Sequence, residues 1–383
     1  MDSSLLLLAP QWSNLPLDLL ELISDRLDNN SSDTFDILCL RSVCATWRTS
    51  LPLSNNNNKN PLSKFLKNLP FWSSSSSGFF ILKQSSVYKL KALHNPKSYL
   101  VKIHETSPGE MRVLDLFSSE RLCFLSDKLP RKIDLQEFHV RLVRRAYRME
   151  YVNNGGSDIS LFWSLNSEKV VILSSGEDSA LMAIHSGGKL GFLKKGNDEK
   201  WKIFDDSWNV IYEDIMVYGV NGENCIVVDD KGKTLSYDVG FKVSDLAEGL
   251  AGGGGHKKHL VEYSGGEVLL VDKYVKHVWC KSEFSKSAVE FRVYKLNREE
   301  KRWEKVRDLG DLALFIGEDC SFSVLVHVGD STVGLVGGCI FYGDSRNGGR
   351  SRGLCSDGDG VFNVEYPTYG DFVFPVKPKC LSP

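Results

Sequence analysis

Gly265-Gly266-Glu267-Val268-Leu269-Leu270-Val271-Asp272 decides the fold: a paired glycine opens an aliphatic, β-branched run that an aspartate closes. Short apolar runs bounded by Gly and Asp read as strands. A second such run, Glu290-Phe291-Arg292-Val293-Tyr294-Lys295, follows, and Trp303 ends the unit after a charged stretch. Working outward, Gly187-Gly188 precedes a strand at Lys189 to Lys194 with Trp201 beyond it, and Gly337-Gly338 precedes a strand at Cys339 to Tyr342. The middle unit carries an insertion, Lys273 to Lys286. Further runs lie at Gly78 to Leu82, Ser98 to Ile103, Val170 to Leu173, Asn224 to Asp229 and Cys320 to Val326. Asn221-Gly222 and Asp230-Lys231-Gly232-Lys233 are turn signals between them. Strands at short, regular spacing predict an all-β unit over 79–378.

A paired glycine, two strands and a spaced tryptophan resemble degenerate kelch-like propeller blades. A propeller suits the physics, because each blade buries its faces on its neighbours and radial closure shelters the edges. About 300 residues at roughly 45–50 per blade give about six blades.

Before residue 54 the pattern changes. Pro16 sits at the start of Leu17-Asp18-Leu19-Leu20-Glu21-Leu22-Ile23, where its missing N–H leaves no helical hydrogen bond unmade. Leu19, Leu20, Ile23 and Leu27 form one apolar stripe, and Ile37, Leu40, Cys44 and Trp47 repeat the helical spacing. Some forty residues bury little apolar surface alone, so this unit wants the rest of the chain or a partner. Ser54 to Gly78 contains an Asn-rich run and a Ser run and reads as a linker region. Ala251 to His256 reads as a flexible glycine loop, and Asp344 to Gly360 as a long surface loop.

The chain has 47 basic and 49 acidic residues and a formal charge of −2, which gives no support to a globally cationic nucleic-acid binder. No run of about 18 apolar residues is present, so no transmembrane helix is expected. Leu5 to Ala9 is too short and lacks the basic flank of a signal peptide. The nine cysteines are scattered without a Cys-x-x-Cys, unlike a disulfide framework or structural zinc site. The expectation is an intracellular protein, in the nucleus and/or cytoplasm.

The N-terminal pattern resembles an F-box. It is carried by Trp12, Leu15, Pro16, Asp18, Leu19, Leu20, Ile23 and Leu27, then by Leu40, Arg41, Val43, Cys44, Trp47 and Arg48. It departs in the long polar loop Asp28 to Phe35 and at Cys39. The resemblance implies that residues 12–53 dock on the Skp adaptor of a cullin-based ubiquitin ligase. Leu15, Pro16, Leu20, Ile23 and Val43 would form the adaptor-binding surface, and Leu19, Leu27, Leu40 and Trp47 the F-box core. The bland reading keeps these apolar residues as the core of a small helical hairpin. The stretches Ser107 to Asp115, Tyr212 to Ile215, and Phe291 to Asn297 with Trp303 and Val306 to Asp311 resemble the C-terminal domain of plant kelch-like F-box proteins. That implies a receptor whose large domain holds a protein substrate, contributing proximity, with no catalytic residue and no cofactor.

Gly232-Lys233-Thr234 lacks the glycine that a phosphate loop needs and reads as a hairpin turn. His256 and His259 lack further ligands at metal spacing and read as a solvated loop. Arg131, Lys132, Arg141, Arg144, Arg145 and Arg148 form one basic stretch. It could serve nucleic acid, nuclear import or an acidic substrate, but alternation makes it read as the solvated face of a strand. Trp201, Trp208 and Trp303 suit blade packing better than a groove. Asp205-Asp206 and Asp229-Asp230 read as turn chemistry. The rival function is a propeller that holds a small molecule in its central channel, as an enzyme or sensor. A third is a regulator with a degenerate F-box, against which the intact Leu-Pro and Val-Cys-x-x-Trp blocks count.

Overall fold

The structure, a computed structural model, describes residues 15–20, 22–23, 40, 43–44, 46–47, 68–70, 78–94, 98–107, 110–119, 138–152, 169–175, 178–185, 187–195, 200–204, 210–219, 222–263, 266–278, 286–326, 337–343, 360–363 and 369–370. It is mainly β, with a small helical unit at the N-terminal end.

Period-two runs give the strands, and their order gives the arrays. The first array holds β1 (Leu69–Pro70), β2 (Phe79–Ala92), β3 (Ser98–Ser107), β4 (Glu110–Leu114) and β5 (Phe138–Val152), in the order β4-β3-β2-β5 with β1 on β2. The second is the meander β6 (Lys169–Ser175), β7 (Asp178–His185), β8 (Lys189–Lys194) and β9 (Lys202–Phe204). It joins the first through one residue pair, Tyr147 and Val170. The third is β10 (Tyr212–Tyr218), β11 (Asn224–Asp229), β12 (Thr234–Asp238) and β13 (Val243–Ala247). The fourth is β14 (Lys257–Tyr263), β15 (Glu267–Val278), β16 (Lys286–Asn297) and β17 (Arg302–Val306). The fifth comprises β18 (Leu312–Ile316), β19 (Ser321–Leu325), β20 (Cys339–Tyr342), β21 (Gly360–Asn363) and β22 (Tyr369–Gly370), in the order β19-β18-β20-β21-β22 with β18 and β20 parallel.

Five apolar cores lie between successive arrays. Phe80, Met149, Leu181 and Trp201 share one between the first and second. Phe192, Tyr212, Cys225 and Tyr237 fill the next, and Met216, Ile226, Leu260 and Leu270 the one after. Val261, Phe291, Leu314 and Ile340 join the fourth to the fifth. Val87, Ala146, Phe315 and Phe341 join the fifth back to the first, which closes the ring. The described residues thus form a propeller of five arrays, and the expected count of about six is not met among them.

Four other expectations change. The glycine-pair repeat is out of phase, because Gly188 lies between the second and third strands of its array and Gly266 between the first and second of its own. Both sit at positive φ, 71° and 75°, so the glycines mark tight turns rather than one blade position. The described ends of the Lys273–Lys286 insertion are strand, since β15 and β16 pair out to Val278 and Lys286. Within the expected linker region 54–78, Leu69 is buried and pairs with Phe80. The glycine loop is packed, with Gly255 N–H donating to both Asp272 oxygens at 2.9 and 2.8 Å.

Candidate functional site

Residues 17–20 and 22–23 are helical, as are 40, 43, 46 and 47. The Pro16 carbonyl accepts the first N–H groups, from Leu19 and Leu20, both at 3.1 Å. Leu20 and Trp47 are buried against each other, with Leu15, Leu40 and Cys44 around them. Leu17, Leu19, Leu22, Ile23 and Val43 are 38–53% exposed. Leu19, Leu22 and Ile23 are spaced i, i+3, i+4 and share one helix face.

This exchanges two sequence-based places: Leu20, expected on the docking surface, is core, and Leu19, expected in the core, is at the surface. Adjacent helical residues point about 100° apart, and the sequence stripe contained both. Only the position of Trp47 decides which of them is covered. Leu17 and Leu22 join the exposed set and were missed for the same reason. Leu27, Trp12, Arg41, Arg48, the Asp28 to Phe35 loop and Cys39 lie outside the described residues. Burying each exposed aliphatic on a partner would contribute roughly 1–2 kcal/mol.

The propeller carries buried ion pairs at its blade junctions. Lys102 on β3 is fully buried and donates to Asp319 at 2.6 Å and to the Ser118 carbonyl at 2.6 Å. Lys169 on β6 pairs with Asp214 on β10 at 2.6 Å, and Asp214 also accepts the Leu260 N–H of β14 at 2.7 Å. Lys258 on β14 is fully buried, 3.7 Å from Asp272 and 3.8 Å from Glu213. Burial pushes the Glu213 carboxyl up to about 7 against the opposing pull of Lys258 and Lys257. The free edge of the inner strand β14 is therefore satisfied by carboxylates from β10. None of these lysines was singled out as a site residue in the sequence.

His259 is not in a solvated loop: it lies on β14 and is buried, and burial, with Lys169 nearby, holds it neutral well below the usual range. His256 is exposed, and its Nδ1 accepts the Val275 N–H at 3.1 Å. The basic stretch is β5, an inner strand rather than an outer face. Arg144 pairs with Glu262 of β14 at 3.1 Å, and Arg148 is half-buried. Arg131 and Lys132 lie outside the described residues. Trp201 is buried, with its Nε1–H on the Pro70 carbonyl at 2.8 Å. Trp303 is half-buried, with its Nε1–H on the Gly232 carbonyl of the neighbouring array at 3.0 Å. Trp208 and Asp205-Asp206 lie outside the described residues. Asp229 caps the β11–β12 turn, accepting the N–H of Lys231 and Lys233 at 2.9 and 2.8 Å, so the phosphate-loop look-alike is a hairpin turn. Among the described residues no His, Cys, Asp and Glu group is suited to a metal ion, and no helix is long and apolar enough to cross a membrane.

A helical unit with an exposed apolar face precedes a propeller in this chain, the domain order of a propeller-class F-box protein. Residues 73–363 match the KIB1-4 beta-propeller family. Arabidopsis thaliana At5g60060, which bears an F-box protein name, is 74% identical over 385 residues, the whole of both chains. F-box protein SKIP23 of the same plant is 30% identical, covering 97% of this chain and 96% of its own. F-box protein At2g17036 is 29% identical over 86% of this chain and 81% of its own. The chain belongs to the plant F-box proteins with a KIB1-4 β-propeller. That membership supports a substrate-adaptor role, and F-box proteins generally bind Skp adaptors.

Proposed function

We propose that the chain is the substrate-recognition subunit of a Skp–cullin–F-box ubiquitin ligase. The observation that carries this is the exposed helix face of Leu19, Leu22 and Ile23, with Val43 exposed as well, on a unit whose buried described residues are Leu20 and Trp47. Exposed aliphatics that share one helix face mark a protein interface. The adaptor covers this face, and the propeller holds a protein substrate beside the ubiquitin-charged enzyme. The chain acts by effective concentration and does no bond chemistry itself. We place this activity in the nucleus and/or cytoplasm.

The test is co-expression with a plant Skp adaptor and cullin. A three-component complex that Val43→Asp removes from the chain, with the propeller's melting unchanged, is the expected result. A folded chain that purifies free of adaptor would sink the proposal.

A further inference from the structure

A cavity of about 300 Å³ opens where the outer strands of the third and fourth arrays meet. The chain from Glu248 to Ala251, just after β13, forms one side, and Tyr294 of β16 with Arg302 and Trp303 of β17 the other. Both sides are tied in place. Glu248 N–H donates to the Lys301 carbonyl at 2.9 Å and Leu250 N–H to the Lys231 carbonyl at 2.8 Å. The Trp303 indole donates to the Gly232 carbonyl at 3.0 Å. Tyr294 pairs across from Lys305 and Leu296 across from Trp303, so Tyr294 and Trp303 are diagonal neighbours on one face of the β16–β17 pair.

Four tyrosines on and around the fourth array each carry a cation of this chain. Arg292 lies 4.2 Å from the ring centre of Tyr274 and Arg298 4.7 Å from that of Tyr218. Lys273 lies 5.5 Å from the ring centre of Tyr342 and Lys295 6.0 Å from that of Tyr263. Among the described residues no cation lies over Tyr294 or Trp303, the two rings that line the cavity. The Glu248 carboxylate at the rim is exposed and has no hydrogen-bond or ion-pair partner among the described residues. Arg302, the one basic residue of the lining, is held by Glu300 at 2.6 Å and by Glu304 at 3.2 Å, so its charge is already compensated.

We propose that this cavity receives a basic side chain, lysine or arginine, of the recruited protein. An ammonium or guanidinium is drawn to the electron-rich faces of Trp and Tyr. Its charge meets the unpaired Glu248, and its aliphatic stem packs on Leu250 and Ala251. The volume lies at the lower end of the roughly 300–1,000 Å³ of ligand sites, which is room for one side chain and not for a length of polypeptide. The rest of the segment lies along the surface. That the segment belongs to a substrate rests on the substrate-adaptor reading; the cavity's chemistry does not.

The probes are three degenerate peptide libraries, alike except for a central lysine, arginine or norleucine, and tetramethylammonium chloride, each titrated against the full chain. At least one basic library should bind at least about tenfold tighter than the norleucine library, within reach of a ring-stacked cation that also meets a carboxylate. Glu248→Gln and Tyr294→Leu should each cut that preference at least about threefold. Asp178→Asn, exposed on β7, should leave it intact. Thermal melting and Skp-adaptor binding of Glu248→Gln should match wild type, so a failed cavity and a failed adaptor reading are told apart. Equal binding of the three libraries overturns the proposal, whether or not the chain binds adaptor. So does a preference that Glu248→Gln leaves unchanged, or binding of tetramethylammonium with no binding of any library.

Discussion

Replacing Lys102 by methionine should open the propeller where its first and fifth arrays meet. The Lys102 ammonium is 0% exposed and touches both Asp319 oxygens at 2.7 and 2.6 Å. Around it, Glu318 N–H donates to the Phe117 carbonyl at 2.7 Å. Phe315 stacks on Phe322 and Phe341 at 4.8 and 4.9 Å between ring centres. Methionine fills most of the lysine's volume, so the loss is electrostatic: Asp319 is left nearly buried and charged. Removing one partner of a buried pair costs about 3–5 kcal/mol. At roughly 2 °C per kcal/mol for a large domain, the melting temperature should fall by about 6–10 °C. The assay is urea unfolding and thermal melting of the full chain, with Lys102→Met, Asp319→Leu and the double variant as a cycle. The double variant should recover most of the loss, because an apolar pair of similar volume is often as stable as the ion pair. A Lys102→Met protein that melts within about 1 °C of wild type, or a double variant no better than the sum of the singles, would refute the clasp.

Glu213→Gln should stabilise the protein at high pH. The folded carboxyl is raised to about 7, so the folded state's advantage is complete below the unfolded value of 4.5 and is lost as pH rises through 7. Discounted for partial exposure, the gain at pH 8 should be about 1–2 kcal/mol and should fade by pH 5, read by urea midpoints at both. Gly254→Ala should destabilise more than Gly252→Ala. Both sit at positive φ, but only at Gly254 does a Cβ meet Asp272, at 2.8 Å. The extra cost should be about 1–3 kcal/mol by thermal melting, and equal costs would contradict the packed loop. Leu20→Ala should cost about 2–4 kcal/mol and weaken adaptor binding through unfolding of the helical unit. Leu19→Ala should leave far-UV dichroism unchanged and weaken adaptor binding alone.

The strands that sequence reading located well are those with both boundaries marked by chemistry. Asn224 to Asp229 and Cys339 to Tyr342 match β11 and β20 residue for residue. Each has a glycine turn before it and a polar residue at its end. The reading fell short where tertiary partners decide. Leu69 reads as linker because only Phe80, packed over it, makes it a strand residue. Lys102, Lys169 and Lys258 are not legible as buried pairs, because alternation cannot show that a carboxylate from another blade awaits them. Arg144 and Arg148 read as an outer face because the strand order, which puts β5 innermost, is set by closure of the ring rather than by the strand itself. The F-box residues were legible as a set from two spaced motif blocks. Their division into core and surface was not, since Leu19 and Leu20 are chemically identical neighbours.

The central claim is that the exposed strip of the helical unit is a docking face for a Skp adaptor. The most direct measurement is calorimetric titration of the purified adaptor into the full chain and into a Leu19→Asp/Ile23→Asp variant. Both substitutions lie at exposed positions, so the variant should keep the wild-type melt. Wild-type binding at one-to-one stoichiometry, weakened at least about a hundredfold in the variant, is the predicted result, as two buried charges facing an apolar partner cost more than about 2.7 kcal/mol. A folded wild-type chain that takes up no adaptor, or a folded variant that binds as tightly as wild type, would contradict it.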